Sequence, residues 1–159
     1  MLFRSVCDAH IIEQPVPQGM RITSKEQVAR HHYVSRGGVE ARIRLTPAQF
    51  TVLRKYGTER AGSSPLDKEY GRGIYHCAGC ELPLFSAATK FDSRTGWPSF
   101  WAPLPDAVGT ATDRSLFMAR TEVHCRRCGG HLGHVFDDGP KPTGLRYCMN
   151  GVALSFRRA

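Results

Sequence analysis

Six cysteines divide into two kinds along these 159 residues: Cys77/Cys80 and Cys125/Cys128 form two Cys-x-x-Cys pairs, while Cys7 and Cys148 have no partner nearby in the chain. Forty-four residues separate Cys80 from Cys125, a spacing suited to a four-thiolate zinc site built from two tight turns. With all four positions of the metal filled by sulfur, such a site activates no water. It is structural, and metal binding counts toward folding. A thioredoxin-like redox motif is the alternative for a Cys-x-x-Cys, but it calls for one copy at the start of a helix, and here there are two matched copies.

Cys148 has different company. It follows His131-Leu132-Gly133-His134-Val135-Phe136-Asp137-Asp138-Gly139-Pro140 and sits within Arg146-Tyr147-Cys148-Met149-Asn150. If the second stretch is a strand, alternation places Arg146, Cys148 and Asn150 on one face. A cation and imidazoles beside a thiol lower its pKa and raise the thiolate fraction, so Cys148 reads as a candidate nucleophile rather than a packed core cysteine.

The elements that must position these residues are short. Thr46, Pro47 and Gln49 give an N-cap, a first-turn proline and a capping box, with Phe50 and Leu53 on one face and Gly57 as the stop. From Gly73 onward, β-like runs are expected at 74–77, 82–85, 108–112, 115–123, 132–136, 145–150 and 152–156. Asp113-Arg114 reads as a hairpin turn and Asp138-Gly139-Pro140 as another turn. Many short strands without long intervening helices predict antiparallel sheets, a mainly β fold with short flanking helices. Residues 1–45 are apolar-poor and read as an N-terminal extension, with Ser24/Gln27 as a capping box and Gly37-Gly38 as a helix stop; 46–159 form the main domain.

The net charge of +8 contains no run of five basic residues, so a solvated basic surface is expected rather than a nucleic-acid footprint. No stretch has the ~20 apolar residues of a membrane span, and the first residues lack a secretory leader's apolar run. We therefore expect a cytoplasmic monomer with no membrane partner, whose paired cysteines hold metal rather than disulfides.

Taken together, Lys90-Phe91-Asp92-Ser93, Gly96-Trp97-Pro98-Ser99-Phe100, the 131–138 stretch and Arg146-Tyr147-Cys148-Met149-Asn150 resemble the signatures of the methionine sulfoxide reductase B family, from about Thr46 to Phe156. The two Cys-x-x-Cys pairs stand in the order of its zinc-containing members. The resemblance implies a zinc-stabilised pair of antiparallel sheets of the Mss4-like type and reduction of methionine R-sulfoxide in oxidised proteins or peptides, with thioredoxin as reductant. It assigns Cys148 as the nucleophile that becomes a sulfenic acid, and His131 and His134 as the imidazoles that hold a water and handle the proton. Arg146 and Asn150 become polar neighbours of the sulfur, and Trp97 the wall for the substrate's S-methyl group.

Many members carry a resolving cysteine where this chain has Thr95. Its absence leaves Cys7, a metal-site cysteine or an external thiol to reduce the sulfenic acid. A non-catalytic alternative also stands: a zinc-dependent binding module with a basic surface, which would require neither Cys148 nor Trp97.

Overall fold

The computed structural model describes residues 45–115 and 118–159. Cys7, Ser24, Gln27 and Gly37-Gly38, and with them the readings made for the first 44 residues, lie outside these. The first element among the described residues is helix α1 (Pro47–Lys55). Its capping box forms as expected: the Thr46 hydroxyl accepts from the Gln49 amide, and the Gln49 side chain accepts from the Thr46 amide. The stop falls one residue earlier than the glycine suggested. Tyr56, not Gly57, adopts the left-handed conformation, at φ 56°. A non-glycine residue there costs roughly 1–2 kcal/mol, and the position carries the Tyr56 ring to within 5.5 Å of the His131 ring.

Among the described residues nine strands follow, in two antiparallel sheets. The smaller has the order β2-β1-β9, from β1 (Gly73–Cys77), β2 (Pro83–Ser86) and β9 (Leu154–Arg158). The larger runs β3-β4-β8-β7-β6-β5, from β3 (Lys90–Phe91), β4 (Ser99–Phe100), β5 (Val108–Asp113), β6 (Arg120–Cys125), β7 (His131–Phe136) and β8 (Arg146–Met149). The mainly β class with two antiparallel sheets is as the sequence implies. Among the described residues no helix is long and apolar enough to cross a membrane.

Two strand boundaries and two short strands depart from expectation, for identifiable reasons. The β5–β6 turn is longer than Asp113-Arg114, because the Ser115 amide donates back to Asp113 and the strand resumes only at Arg120. The last strand begins at Leu154 rather than Val152. The Glu59 carboxylate takes the amides of Gly151 and Val152 and holds residues 151–153 in a 3-10 turn. The two-residue strands β3 and β4 are too short to carry a period-two signal in sequence.

The sheets meet over an aromatic core. Phe100 of β4 stacks on Phe85 of β2 at 4.4 Å and meets Tyr75 of β1 edge-on at 4.9 Å, all three fully buried. Such pairs add about 0.5–1.5 kcal/mol each beyond the area they bury. Alternation then sets the opposite faces: in β4 Phe100 enters this core while Ser99 faces Cys148, its partner across the ladder. In β8, Met149 is fully buried and Tyr147 packs near Phe85, leaving Arg146 and Cys148 to the other side. Gly133 allows β7 and β8 to close, since a Cβ there would collide with the Cys148 carbonyl oxygen.

Candidate active site and metal centre

The two Cys-x-x-Cys turns are built alike. In each, the first cysteine's amide donates five residues ahead, Cys77 to Leu82 and Cys125 to Gly130. Its carbonyl accepts from four residues ahead, from Glu81 and Gly129. The residue at that fourth place is left-handed in both turns, Glu81 at φ 63° and Gly129 at φ 67°. One turn leaves β1 and the other leaves β6, so the pair joins the small sheet to the large one.

The four sulfurs lie within 4.8 Å of one another. Cys77 and Cys128 are 3.6 Å apart, Cys80 and Cys125 3.5 Å. Sulfurs ~2.3 Å from a tetrahedral metal stand about 3.8 Å apart. The donor set therefore fits a four-coordinate, thiophilic ion with little adjustment, and these cysteines can hold one.

Cys148 lines a separate cleft of about 340 Å³ together with Trp97, His134, Arg146, Asn150, Thr95 and Arg120. Of the residues singled out from sequence, five meet in this cleft. His131 lines the adjoining hollow beside His134, their rings 5.4 Å apart. Three residues apart on one strand, the two histidines would face opposite ways. A bulge corrects this: β6 advances one residue from Val123 to His124 while β7 advances two from Gly133 to His131.

Each imidazole has its own carboxylate, and neither carboxylate was foreseen. His134 Nε2 lies 2.8 Å from Asp113 Oδ2, which also accepts from Arg120 Nη2 at 2.8 Å. His131 Nδ1 lies 3.0 Å from Glu122 Oε1, while the other oxygen of this buried carboxylate meets His124 Nδ1 at 3.2 Å. Hydrogen bonds from Ser115 first, then His134, hold Asp113 well below the usual carboxylate range. Burial pulls the His134 pKa down, with Asp113 opposing, which favours a neutral imidazole near neutral pH. The signal for Glu122 was present in Glu122-Val123-His124, an acid and a histidine on one strand face.

Asp138, read from sequence as part of a turn, also pairs with a cation: Arg146 Nε and Nη2 donate to its two oxygens, both at 2.8 Å. The guanidinium also lies over Phe136, 4.4 Å from the ring centre. This fork fixes Arg146 beside the sulfur. The expected drop in the Cys148 pKa does not follow, however. Burial pushes the thiol up and outweighs the lowering by Thr95, Arg146 and Ser99.

Glu59 organises the rest. Besides the two amides its carboxylate accepts, its backbone carbonyl receives Trp97 Nε1 at 3.2 Å and its amide donates to Asn150 Oδ1 at 2.9 Å. The Asn150 amide nitrogen donates to the Leu132 carbonyl at 3.0 Å. Asn150 is therefore a buried cross-tie that holds the Glu59 segment and β7 around the cleft. Glu59 stands outside every motif, in a stretch with no periodicity, so nothing local marked it.

A SelR domain matches residues 45–158. A Pseudomonas putida protein, peptide methionine sulfoxide reductase MsrB, is 56% identical over 119 residues, which cover 74% of this chain and 91% of that protein. The protein of the same name from Agrobacterium fabrum is 49% identical over 124 residues, 77% of this chain and 92% of its own length. The chloroplastic peptide methionine sulfoxide reductase B1 of rice is 52% identical over 120 residues, 75% of this chain and 56% of its own length. With a SelR domain over 45–158 and relatives near 50% identity over three-quarters of its length, the chain belongs to the methionine sulfoxide reductase B family.

Proposed function

We propose that the chain reduces methionine R-sulfoxide in proteins and peptides to methionine, with residues 46–159 as the catalytic domain and 1–45 as an extension. The observation that carries this reading is the meeting of a thiol, an indole wall and a carboxylate-paired imidazole in one cleft. Cys148 attacks the sulfoxide sulfur as thiolate, and the sulfur–oxygen bond breaks. The attack forms a sulfur–sulfur bond, and the protonated oxygen passes from the methionine sulfur to Cys148 as that bond breaks, so Cys148 becomes a sulfenic acid and methionine leaves: Cys–SH plus sulfoxide gives Cys–SOH plus thioether. Trp97 packs the S-methyl group, where a sulfur–aromatic contact contributes about 0.3–1.5 kcal/mol.

His134, steadied by Asp113, and His131, steadied by Glu122, hold a water and deliver the proton to the oxygen. Arg146, fixed by Asp138, favours the thiolate. Asn150 keeps the Trp97 wall and the strand carrying Cys148 in register through Glu59.

Regeneration follows by thiol attack on the sulfenic sulfur, releasing water and forming a disulfide that thioredoxin or a similar dithiol reduces. Thr95 cannot form that disulfide, so the attacking thiol is Cys7, an external thiol or a metal-site cysteine. A metal-site cysteine is the least favoured, because its use would dismantle the cluster. Cys77, Cys80, Cys125 and Cys128 hold a structural Zn²⁺, which ties β1 to β6 and takes no part in the chemistry. The protein acts as a monomer in the cytoplasm, without nucleic-acid or membrane partners.

Peptides carrying the separate R and S sulfoxide epimers test the reading. We expect turnover of R alone, loss of turnover in Cys148→Ser, and a trapped Cys7–Cys148 disulfide after one cycle without reductant. Reduction of S alone, or retained activity in Cys148→Ser, overturns the assignment; unchanged thioredoxin-dependent turnover in Cys7→Ser removes only the Cys7 role.

A further inference from the structure

The position taken by Thr95 carries more than the absence of a cysteine. Thr95 Oγ1 lies 4.0 Å from Cys148 Sγ. Ser93 Oγ lies 2.8 Å from Thr95 Oγ1 and 2.7 Å from Ser99 Oγ, and Ser99 Oγ lies 3.1 Å from the Trp97 carbonyl. Three hydroxyls thus run in line from a sulfur to a backbone carbonyl.

We propose that Thr95, Ser93 and Ser99 form a reversible hydroxyl relay that accepts from Cys148 when it is a thiol and turns to donate when it is a thiolate. Each hydroxyl owns one proton and can accept from others, whereas the Trp97 carbonyl can only accept. With Cys148 protonated, S–H donates to Thr95, Thr95 to Ser93, Ser93 to Ser99, and Ser99 to the carbonyl. A thiolate can only accept, so the order reverses: Thr95 donates to sulfur, Ser93 to Thr95, and Ser99, which lies across the ladder from Cys148, turns from the carbonyl to Ser93 or to the sulfur itself. No proton travels along the relay. Each hydroxyl keeps its own, and only its direction changes.

The backbone is shaped for this line. Thr95 lies between two left-handed residues, Arg94 at φ 59° and Gly96 at φ 87°, and the turn is pinned where the Gly62 amide donates to the Gly96 carbonyl at 2.7 Å. A Cβ on Gly96 would come within 2.8 Å of the Gly62 nitrogen, so the turn cannot be rebuilt with a larger residue there. Ser99 comes from β4, directly across from Cys148.

The other polar groups facing the sulfur are of a different kind. Arg146 on its own strand, held by Asp138, His134 on β7, held by Asp113, and Arg120 on β6 line the same cleft. Of the three hydroxyls Thr95 lines this cleft, while Ser93 links it to Ser99, which is buried on β4. Burial disfavours the thiolate here, and Thr95 and Ser99 work against it alongside Arg146. The inference rests on Cys148 being the attacking nucleophile. It adds how a half-buried thiol obtains its donors.

The test is the pH dependence of Cys148 alkylation by iodoacetamide in the full chain, read at the Cys148 peptide by mass spectrometry. Thr95→Val keeps the shape and removes the hydroxyl. It should shift the alkylation profile to higher pH and slow the reaction at pH 7 roughly three- to tenfold, the range that the net worth of one ordinary hydrogen bond converts to. Thr95→Ser should stay within about twofold of wild type, and Ser93→Ala should move in the same direction as Thr95→Val by less, since it starves Thr95 of its own donor. An unmoved profile in Thr95→Val, or a Thr95→Ser shift as large, overturns the relay; if Thr95→Val does not melt cooperatively, Ser93→Ala decides in its place. Wild-type turnover of a methionine sulfoxide peptide is measured beside it. Absent turnover removes the nucleophile reading, whereas turnover with an unmoved profile removes the relay alone.

Discussion

At the junction of the sheets four cysteines face one another, and in the cleft one cysteine faces hydroxyls, cations and an indole. The first region is closed: each turn satisfies its own backbone, the sulfurs stand near tetrahedral spacing, and Cys77, Cys125 and Cys128 are buried. The second is open on one side and assembled from five separate segments. The same side chain thus does opposite work in the two places, because chemistry here follows what the sulfur is left facing. Paired sulfurs complete a shell, whereas a single sulfur keeps a free direction for a substrate.

Removing the metal should have the largest effect and should fall on stability. Chelation, or Cys125→Ser, is expected to cost on the order of 5 kcal/mol and lower Tm by roughly 15–25 °C, followed by calorimetry. Lost turnover with unchanged Tm would break the division of labour. Cys148→Ser should invert this pattern, losing about 10³-fold or more in turnover while Tm moves by no more than about 2 °C.

Phe100→Ala tests whether the regions are coupled through β4. It empties the aromatic seam between the sheets at a cost of about 3–5 kcal/mol, seen in denaturant melts, and it should also slow turnover because Ser99 and Cys148 share that ladder. A purely thermal effect would show that the cleft does not depend on the seam. Trp97→Ala acts on the cleft alone. It should reduce kcat/KM for a sulfoxide peptide by up to about tenfold, with a smaller change in Tm than Phe100→Ala.

The smallest effect concerns pH. Burial raises the Cys148 pKa, so in the free protein its alkylation should follow a profile above that of an ordinary thiol. Removing the cation in Arg146→Met should move the profile further up and slow alkylation at pH 7 by about threefold. The sign for stability follows: a thiol held protonated by the fold contributes stability that is present below its unfolded pKa and is lost as pH rises through the folded value. A profile at or below that of a free thiol would show that Arg146 and the hydroxyls outweigh burial.

Much of both regions was legible in the residues. The capping box at Thr46 and Gln49 formed as spelled, because it needs only residues three apart. The Cys-x-x-Cys turns and the shared face of Arg146 and Cys148 are likewise local, set by turn geometry and by period two. The carboxylates behind the histidines were not legible. Asp113 and His134 are 21 residues apart, and their meeting depends on the β5–β6–β7 register.

Glu59 shows the limit most clearly. It reaches residues 91 to 93 positions ahead, and no composition or spacing announces such a contact. The direction of the Cys148 shift is not legible along its strand for a related reason. Neighbouring charges can be read from a strand, but desolvation depends on everything packed around the sulfur.

By itself the sequence determined which atoms are available: four thiolates in two turns able to close a metal shell, one solitary thiol on a strand with a cation, and the two-sheet class that alternation and short runs imply. Only the tertiary structure decided how those atoms are used. It places His131 and His134 side by side through a bulge, gives each a carboxylate, seats Trp97 against Glu59, and turns the Thr95 hydroxyl toward Cys148. The reason is physical: local geometry is set within a few residues, whereas burial and long-range hydrogen bonds arise only when distant strands share one register.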